Sequence, residues 1–205
     1  MSSELKTHWN EVYASKAADK VSWFQARAEM SMRLIAAAGA THESAIIDIG
    51  GGSSVLVDHL LDAGHADVTT LDISERALIG SKDRLGPRAA EVHWIVADTL
   101  AWSPARSYDV WHDRAVFHFL VDARDREVYR ATLLKGLRQR GAAIIGTFAE
   151  DGPERCSGLP VHRWSAEALA DELGTEFRLL ESLREDHRTP GGAVQPFTWA
   201  RFERV

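Results

Sequence analysis

The part of this 205-residue chain with the most chemical potential is Asp48-Ile49-Gly50-Gly51-Gly52-Ser53-Ser54. It follows an apolar run and precedes a segment of helical spacing, so the glycines fall at a strand-to-helix turn. Glycine is needed there when a ligand must approach the backbone, because a Cβ would stand in its way. A nicotinamide fingerprint, G-x-G-x-x-G, would put its third glycine where Val55 stands, and it fails. A phosphate-binding loop needs G-K-[ST] after its glycines, and there is no lysine here. What remains is an acidic residue, Asp48, two positions ahead of three glycines.

Two further carboxylates fall at matching places. Asp72 ends the apolar run Val68-Thr69-Thr70-Leu71, where it can accept hydrogen bonds from both hydroxyls of a ribose. Asp98 ends Val92-His93-Trp94-Ile95-Val96-Ala97, where it can accept from the exocyclic amine of adenine. An aspartate at a strand end often just caps the next helix, but three at successive strand ends point to a nucleoside site.

The most unusual stretch is Trp111-His112-Asp113-Arg114-Ala115-Val116-Phe117-His118-Phe119-Leu120. Four ionisable groups among aromatics are costly to bury unless they have partners. Asp113 and His118 are the candidate catalytic residues, able to take a proton from an acceptor. A lone histidine is more often structural, and that reading stands beside the catalytic one. Cys156, in Cys156-Ser157-Gly158-Leu159-Pro160-Val161-His162-Arg163, is the single cysteine. It reads as packing, and no metal is expected.

These residues must be held by something, and the chain supplies an alternation of short β-branched runs with amphipathic helices from about Ala28 to Phe148. The expected helices run from Ala28 to Ala38, from Ser53 or Ser54 to Gly64, from Ser74 onward, and from Asp122 to Gly141. Ser74 and Asp122 are read as caps. The expected strands are 45–49, 68–72, 92–98, one beginning Tyr108-Asp109-Val110-Trp111, and 142–148. Residues 151–159 read as a loop, and Ser165 opens a short helix that stops at Gly174. Two extended segments, 177–183 and 197–202, close the chain around Thr189-Pro190-Gly191-Gly192 and read as a hairpin at one sheet edge. The fold class is therefore a doubly wound, mostly parallel α/β sheet in one domain, 1–205.

Composition narrows the partners. Hydrophobic residues make up 45 % and charged residues 26 %, ordinary for a globular protein. A formal net charge of −6 argues against nucleic acid, whose binders need a basic face. The basic residues from Arg124 to Arg140 scatter around their helix and make no stripe. Apolar runs are too short to span a bilayer, and no basic stretch followed by an apolar run opens the chain. One cysteine excludes an internal disulfide and a cysteine-built zinc site. The expectation is a cytoplasmic protein, with its oligomeric state left open.

Taken together, D-I-G-G-G-S, L-D-I-S at Leu71 to Ser74, V-A-D-T at Val96 to Thr99 and Y-D-V-W-H-D-R at Tyr108 to Arg114 resemble a class I S-adenosylmethionine-dependent methyltransferase. The resemblance runs from about residue 8 to the C-terminus. It implies a seven-stranded sheet with an antiparallel last strand, S-adenosylmethionine as cofactor and S-adenosylhomocysteine as product. It also implies cofactor contacts at Asp48, Gly50, Gly51, Gly52, Asp72, Ile73, Asp98 and Thr99, and at the main chain of Arg114. His8-Trp9-Asn10-Glu11-Val12-Tyr13 and Ser22-Trp23-Phe24-Gln25 are similar to a subgroup that includes some protein-lysine methyltransferases. That likeness implies that residues 1–27 cap the cofactor site, with Trp9 and Tyr13 lining it. Aromatic faces would suit the sulfonium cation. No D/N-P-P-Y follows the fourth strand, unlike the enzymes that methylate amino groups of DNA bases or glutamine. A small-molecule acceptor is the first expectation and a protein lysine the alternative. A non-catalytic adenosyl-binding module is a third reading, against which the polar stretch 112–118 speaks.

Overall fold

The computed structural model describes residues 2–205; residue 1 of the expected span lies outside them. Six helices and nine strands follow in the order α1 (Ser2–Ser15), α2 (Glu29–Ala37), β1 (Ala45–Ile49), α3 (Leu56–Asp62), β2 (Asp67–Asp72), α4 (Glu75–Leu85), β3 (Val92–Val96), β4 (Tyr108–Arg114), α5 (Ala123–Gly136), β5 (Leu137–Phe148), β6 (Arg155–Cys156), β7 (Leu159–Pro160), α6 (Ala166–Leu173), β8 (Phe177–Arg188) and β9 (Val194–Arg204). Short 3-10 turns join several of them.

Seven strands form one sheet in the order β3-β2-β1-β4-β5-β9-β8. The first five pair in parallel, and β9 runs antiparallel to both of its neighbours. The sequence expectation of a doubly wound sheet with a reversed last strand is met. The terminal hairpin adds to one edge of the sheet as expected, with β9 against β5 and β8 outermost.

Strand β1 shows why the sheet is covered on both faces. All five of its residues are buried, and side chains alternate between faces along a strand. Ala45, Ile47 and Ile49 pack with Tyr129 and Leu133 of α5 and Leu169 and Leu173 of α6. Ile46 points the other way, into Leu34 and Ile35 of α2 and Leu56 and Leu60 of α3. Each fully buried isoleucine contributes about 1.5–3 kcal/mol.

Three helix starts are capped, at Ser74 and Asp122 as expected and also at Ser165. Ser74 Oγ accepts from the Ala77 amide, Asp122 Oδ1 from the Arg124 amide, and Ser165 Oγ from the Ala168 amide. Elsewhere the boundaries differ. Helix α3 begins at Leu56 behind Val55, with Ser54 Oγ accepting only from the Leu56 amide. Helix α5 ends at Gly136, five residues earlier than Gly141, because Leu137 already pairs with Tyr108 of β4. The register then shifts, and Arg140 takes a positive φ of 62° at the irregularity. Strand β3 stops at Val96, so Asp98 lies two residues past the strand end. Strand β4 extends through Arg114, which places His112 and Asp113 within the sheet. Residues 155–160 form a two-stranded ribbon at the end of the expected loop, reaching one residue past it.

Candidate active site

Strand order reverses between β1 and β4, and ligands of open α/β sheets bind at such a switch point, beyond the carboxyl ends of the strands. A cavity of about 290 Å³ lies there. Gly50 at the end of β1, Asp72 and Ile73 at the end of β2, Asp98 and Thr99 beyond β3, and Arg114 at the end of β4 all contribute to its wall. Trp9 and Tyr13 of α1 also line it.

The glycine turn is built without room for side chains. Gly50 and Gly52 have positive φ of 67° and 36°. A Cβ on Gly51 would lie 2.5 Å from both Asp48 Oδ2 and the Thr70 methyl. A Cβ on Gly52 would lie 2.7 Å from the Tyr13 hydroxyl and 2.8 Å from Asp72 Oδ2. Gly51, Gly52 and Asp48 therefore stand behind the cavity wall and set its shape. Asp48 is buried and its Oδ1 bonds His112 Nδ1 at 2.7 Å, while His112 Nε2 bonds Ser31 Oγ at 2.9 Å. The second carboxylate oxygen of Asp48 has no partner.

Asp72 is buried, and that burial pushes its carboxyl up to about 7 against hydrogen bonds from the Ser74 and Gly52 amides. A carboxylate this costly to keep dry is suited to meet donors from a ligand. Asp98 is half-buried and accepts from the Leu100 amide at 3.0 Å, which turns the chain after β3.

Residues 1–27 are expected to cap the site; of the described part, Leu5, Trp9, Tyr13 and Trp23 line the cavity. Trp9 packs edge-on against Trp23 and Phe119 at centroid distances of 5.8 and 5.3 Å, and Tyr13 against Trp23 at 5.9 Å. Polar contacts tie this segment down. Asn10 Oδ1 accepts from Ser74 Oγ at 2.7 Å, and Gln25 Nε2 donates to Glu185 Oε1 at 3.1 Å. His187 Nε2 lies 2.8 Å from the Ser22 carbonyl.

The two expected catalytic residues are placed elsewhere. Asp113 is wholly buried, with Oδ1 accepting from the Val116 and Phe117 amides and Oδ2 from the Tyr129 hydroxyl. Its lone pairs organise the turn after β4, and neither oxygen reaches the cavity surface. His118 is also wholly buried, and burial drives its pKa down to about 3. It lies against Phe119 and Phe148 at 4.5 and 4.7 Å. The expectation that both face the acceptor is corrected: β4 runs three residues further than Trp111, which turns the cluster into the core.

Cys156, Leu159 and Pro160, from the 156–163 stretch expected to complete the pocket, line the wall as well. Two wall residues were not singled out for the site: Tyr129 comes from the middle of α5 and Asp125 from its first turn. Only tertiary packing brings them together.

Residues 46–141 match the family model described as a methyltransferase domain. Over that stretch the chain is similar to methyltransferase domains. The fold of solved methyltransferases agrees with this. A methyltransferase from Anabaena variabilis superposes with a TM-score of 0.76 at 17% identity, over 100% of this chain and 95% of that one. The 1,6-didemethyltoxoflavin-N1-methyltransferase of Burkholderia thailandensis, solved with 1,6-didemethyltoxoflavin and S-adenosylhomocysteine, gives 0.71 at 20% identity over 100% and 87%. The N-methyltransferase NodS of Bradyrhizobium japonicum, solved with S-adenosylhomocysteine, gives 0.71 at 17% over 95% and 97%. No curated protein matches the chain. Among the described residues, no helix is long and apolar enough to cross a membrane. Among the same residues, no group of three or more His, Cys, Asp or Glu side chains is arranged to hold a metal ion.

Proposed function

We propose that the protein methylates a small-molecule acceptor, with the cofactor lying along the cavity from Asp98 to Arg114. The observation that carries this reading is the buried Asp72 carboxylate at the end of β2, facing the glycine turn. It would accept from the ribose hydroxyls, Asp98 from the adenine amine, and Ile73 and Thr99 would flank the nucleoside. Gly50, Gly51 and Gly52 keep the turn low enough for close approach, and Asp48 holds the turn in shape. Trp9 and Tyr13 would close over the site from the N-terminal side, and the main chain of Arg114 would meet the cofactor's amino-acid end. When bound, S-adenosylmethionine supplies a sulfonium methyl group to a nucleophile in line with it.

The residues of the chain align and dry the acceptor, and effective molarity accounts for much of the rate in such a site. With Asp113 and His118 turned inward, proton removal is not assigned to them. The closure of the cavity by α1 and by the β6–β7 ribbon supports a small acceptor over a lysine on a folded protein. The small molecule bound beside the cofactor product in the Burkholderia relative supports the same choice. The polar stretch after Trp111 serves the fold, so it no longer argues against a non-catalytic module. The net charge of −6 supports the absence of nucleic acid, and the single cysteine a cytoplasmic setting.

The test is binding. S-adenosylhomocysteine at about 100 times its dissociation constant should stabilise the protein by about 2.7 kcal/mol, and NADH should not. A thermal shift with NADH and none with S-adenosylhomocysteine would remove this reading.

A further inference from the structure

Asp125 is a carboxylate on the inward side of α5. The buried residues of that helix are Tyr129, Thr132, Leu133 and Gly136. At about 100° per residue they form one stripe, and Asp125 continues it one turn toward the N-terminus. A charge on the inward side of a helix is out of place unless something meets it. At this end of α5 the stripe faces the cavity, since Asp125 and Tyr129 both line it.

Nothing in the protein meets this carboxylate. Among the described residues it makes no hydrogen bond or ion pair, and neither of its oxygens is shut away from solvent. The adjacent cation, Arg126, is committed to Glu172 and to the Leu120 and Val121 carbonyls. Arg130 is committed to Glu176 and the Leu173 carbonyl. Asp122 already caps α5, and an acid in the first turn serves the helix dipole equally well from a solvent-facing position. Helix stability does not call for an acid on this side.

The other polar groups of the wall are occupied. Asp72 and Asp98 are assigned to the nucleoside. The Tyr129 hydroxyl is held between Asp113 and the Trp111 indole. Arg114 donates to the Trp23 carbonyl, and its two unpaired nitrogens have no accessible surface. Burial pushes the Cys156 thiol up to about 11, which keeps it protonated. Outside the proposed cofactor contacts the wall is largely apolar, with Leu5, Phe119, Leu120, Leu159 and Pro160.

We propose that Asp125 selects the methyl acceptor, and that this acceptor is a small amine, cationic at neutral pH, with an apolar body. This inference rests on the methyltransferase reading and names the acceptor class for the same site. An ammonium brings both the donors and the opposite charge that the open carboxylate lacks. The apolar wall receives the rest of the molecule. Asp125 acts on binding, and no proton transfer is assigned to it.

The experiment loads the protein with S-adenosylhomocysteine and titrates it by calorimetry with 2-phenylethylamine and its neutral counterpart 2-phenylethanol. The amine should bind at least ~10-fold more tightly, since only it makes a charge-assisted contact. Asp125→Asn should abolish that preference, and Asp125→Glu should keep part of it. Both variants should bind S-adenosylhomocysteine within about threefold of the wild type. Equal binding of the two probes by the wild type, or binding of neither, overturns the proposal whatever the variants do. So does a preference for the amine that survives in Asp125→Asn. If Asp125→Asn weakens S-adenosylmethionine but not S-adenosylhomocysteine, the carboxylate serves the sulfonium and the proposal falls. It falls too if Asp125→Asn weakens S-adenosylhomocysteine but not 5′-methylthioadenosine, because the carboxylate then grips the cofactor's own ammonium. Wild-type protein that binds no S-adenosylhomocysteine overturns the methyltransferase reading itself, a result seen in the loading step before either probe is added.

Discussion

The Tyr129 hydroxyl donates to Asp113 Oδ2 at 2.6 Å, and it accepts in turn from the Trp111 indole nitrogen at 3.0 Å. A tyrosine on the cavity wall is thus spent inward, locking α5 to the end of β4. Burial pushes the Asp113 carboxyl up to about 6 despite its hydrogen bonds from Tyr129, Val116 and Phe117.

Tyr129→Phe should destabilise the fold by ~1–3 kcal/mol, because it leaves a buried carboxylate oxygen without its donor. Asp113→Asn should be milder and should leave turnover on the true acceptor near normal. Denaturant melts and initial rates decide the matter together. A fall in turnover of ~10²–10⁴ with an unchanged melt would restore Asp113 as a general base.

Asp72→Asn should separate binding from stability. Losing charge-assisted bonds to the ribose should weaken S-adenosylhomocysteine ~10- to 150-fold in calorimetry. The ligand-free protein should behave oppositely. The folded-state pKa is raised to about 7 from 3.8, so the folded chain binds the proton more tightly than the unfolded one. Wild-type stability from this group is therefore lost as pH rises from about 4 to about 7, at roughly 1.4 kcal/mol per pKa unit at most. The Asn variant lacks that loss and should be the more stable of the two at about pH 8. Equal stability of both proteins at every pH would show that Asp72 is solvated.

The Ser31–His112–Asp48 chain should matter to the glycine turn although none of its members touches the cavity. His112→Phe strands a carboxylate oxygen and a hydroxyl, each costing ~1–3 kcal/mol. It should also weaken the cofactor product. His112→Asn, with an amide that can donate to Asp48, should recover part of both effects. If the affinity is the same in all three proteins, Asp48 needs no orienting partner.

Gly51→Ala should abolish cofactor binding while the far-ultraviolet spectrum stays that of the wild type. The added methyl would lie 2.5 Å from Asp48 Oδ2 and from Thr70, so the turn must move. Tight binding by this variant would show that the turn is softer than its contacts imply.

The parallel core was legible because burial on both faces demands continuous apolar runs, as in Ala45 to Ile49. The edge of the site was legible because carboxylates and glycines are out of place at the ends of such runs. What escaped notice was settled by partners far away in the chain. His112 and Asp113 look like loop chemistry, yet Ser31, Asp48 and Tyr129 satisfy them inside a strand. Leu137 to Arg140 look like the tail of a helix, because pairing with β4 outweighs local preference there. Tyr129 and Asp125 gave no signal, since a wall position on a helix is indistinguishable in sequence from a core or surface one.

Strand β9 is threaded between β5 and β8, and its Trp199 lies where a Cβ on Gly146 of β5 would touch the indole, at 2.9 Å. Synthesis runs in one direction, so β5 emerges from the ribosome nearly fifty residues before its permanent neighbour exists. During that interval the growing chain carries an open, apolar sheet edge of the kind that invites mispairing. The antiparallel pairing can form only when residues 194–204 have cleared the exit tunnel. The β5 edge is therefore the last part of the sheet to be covered.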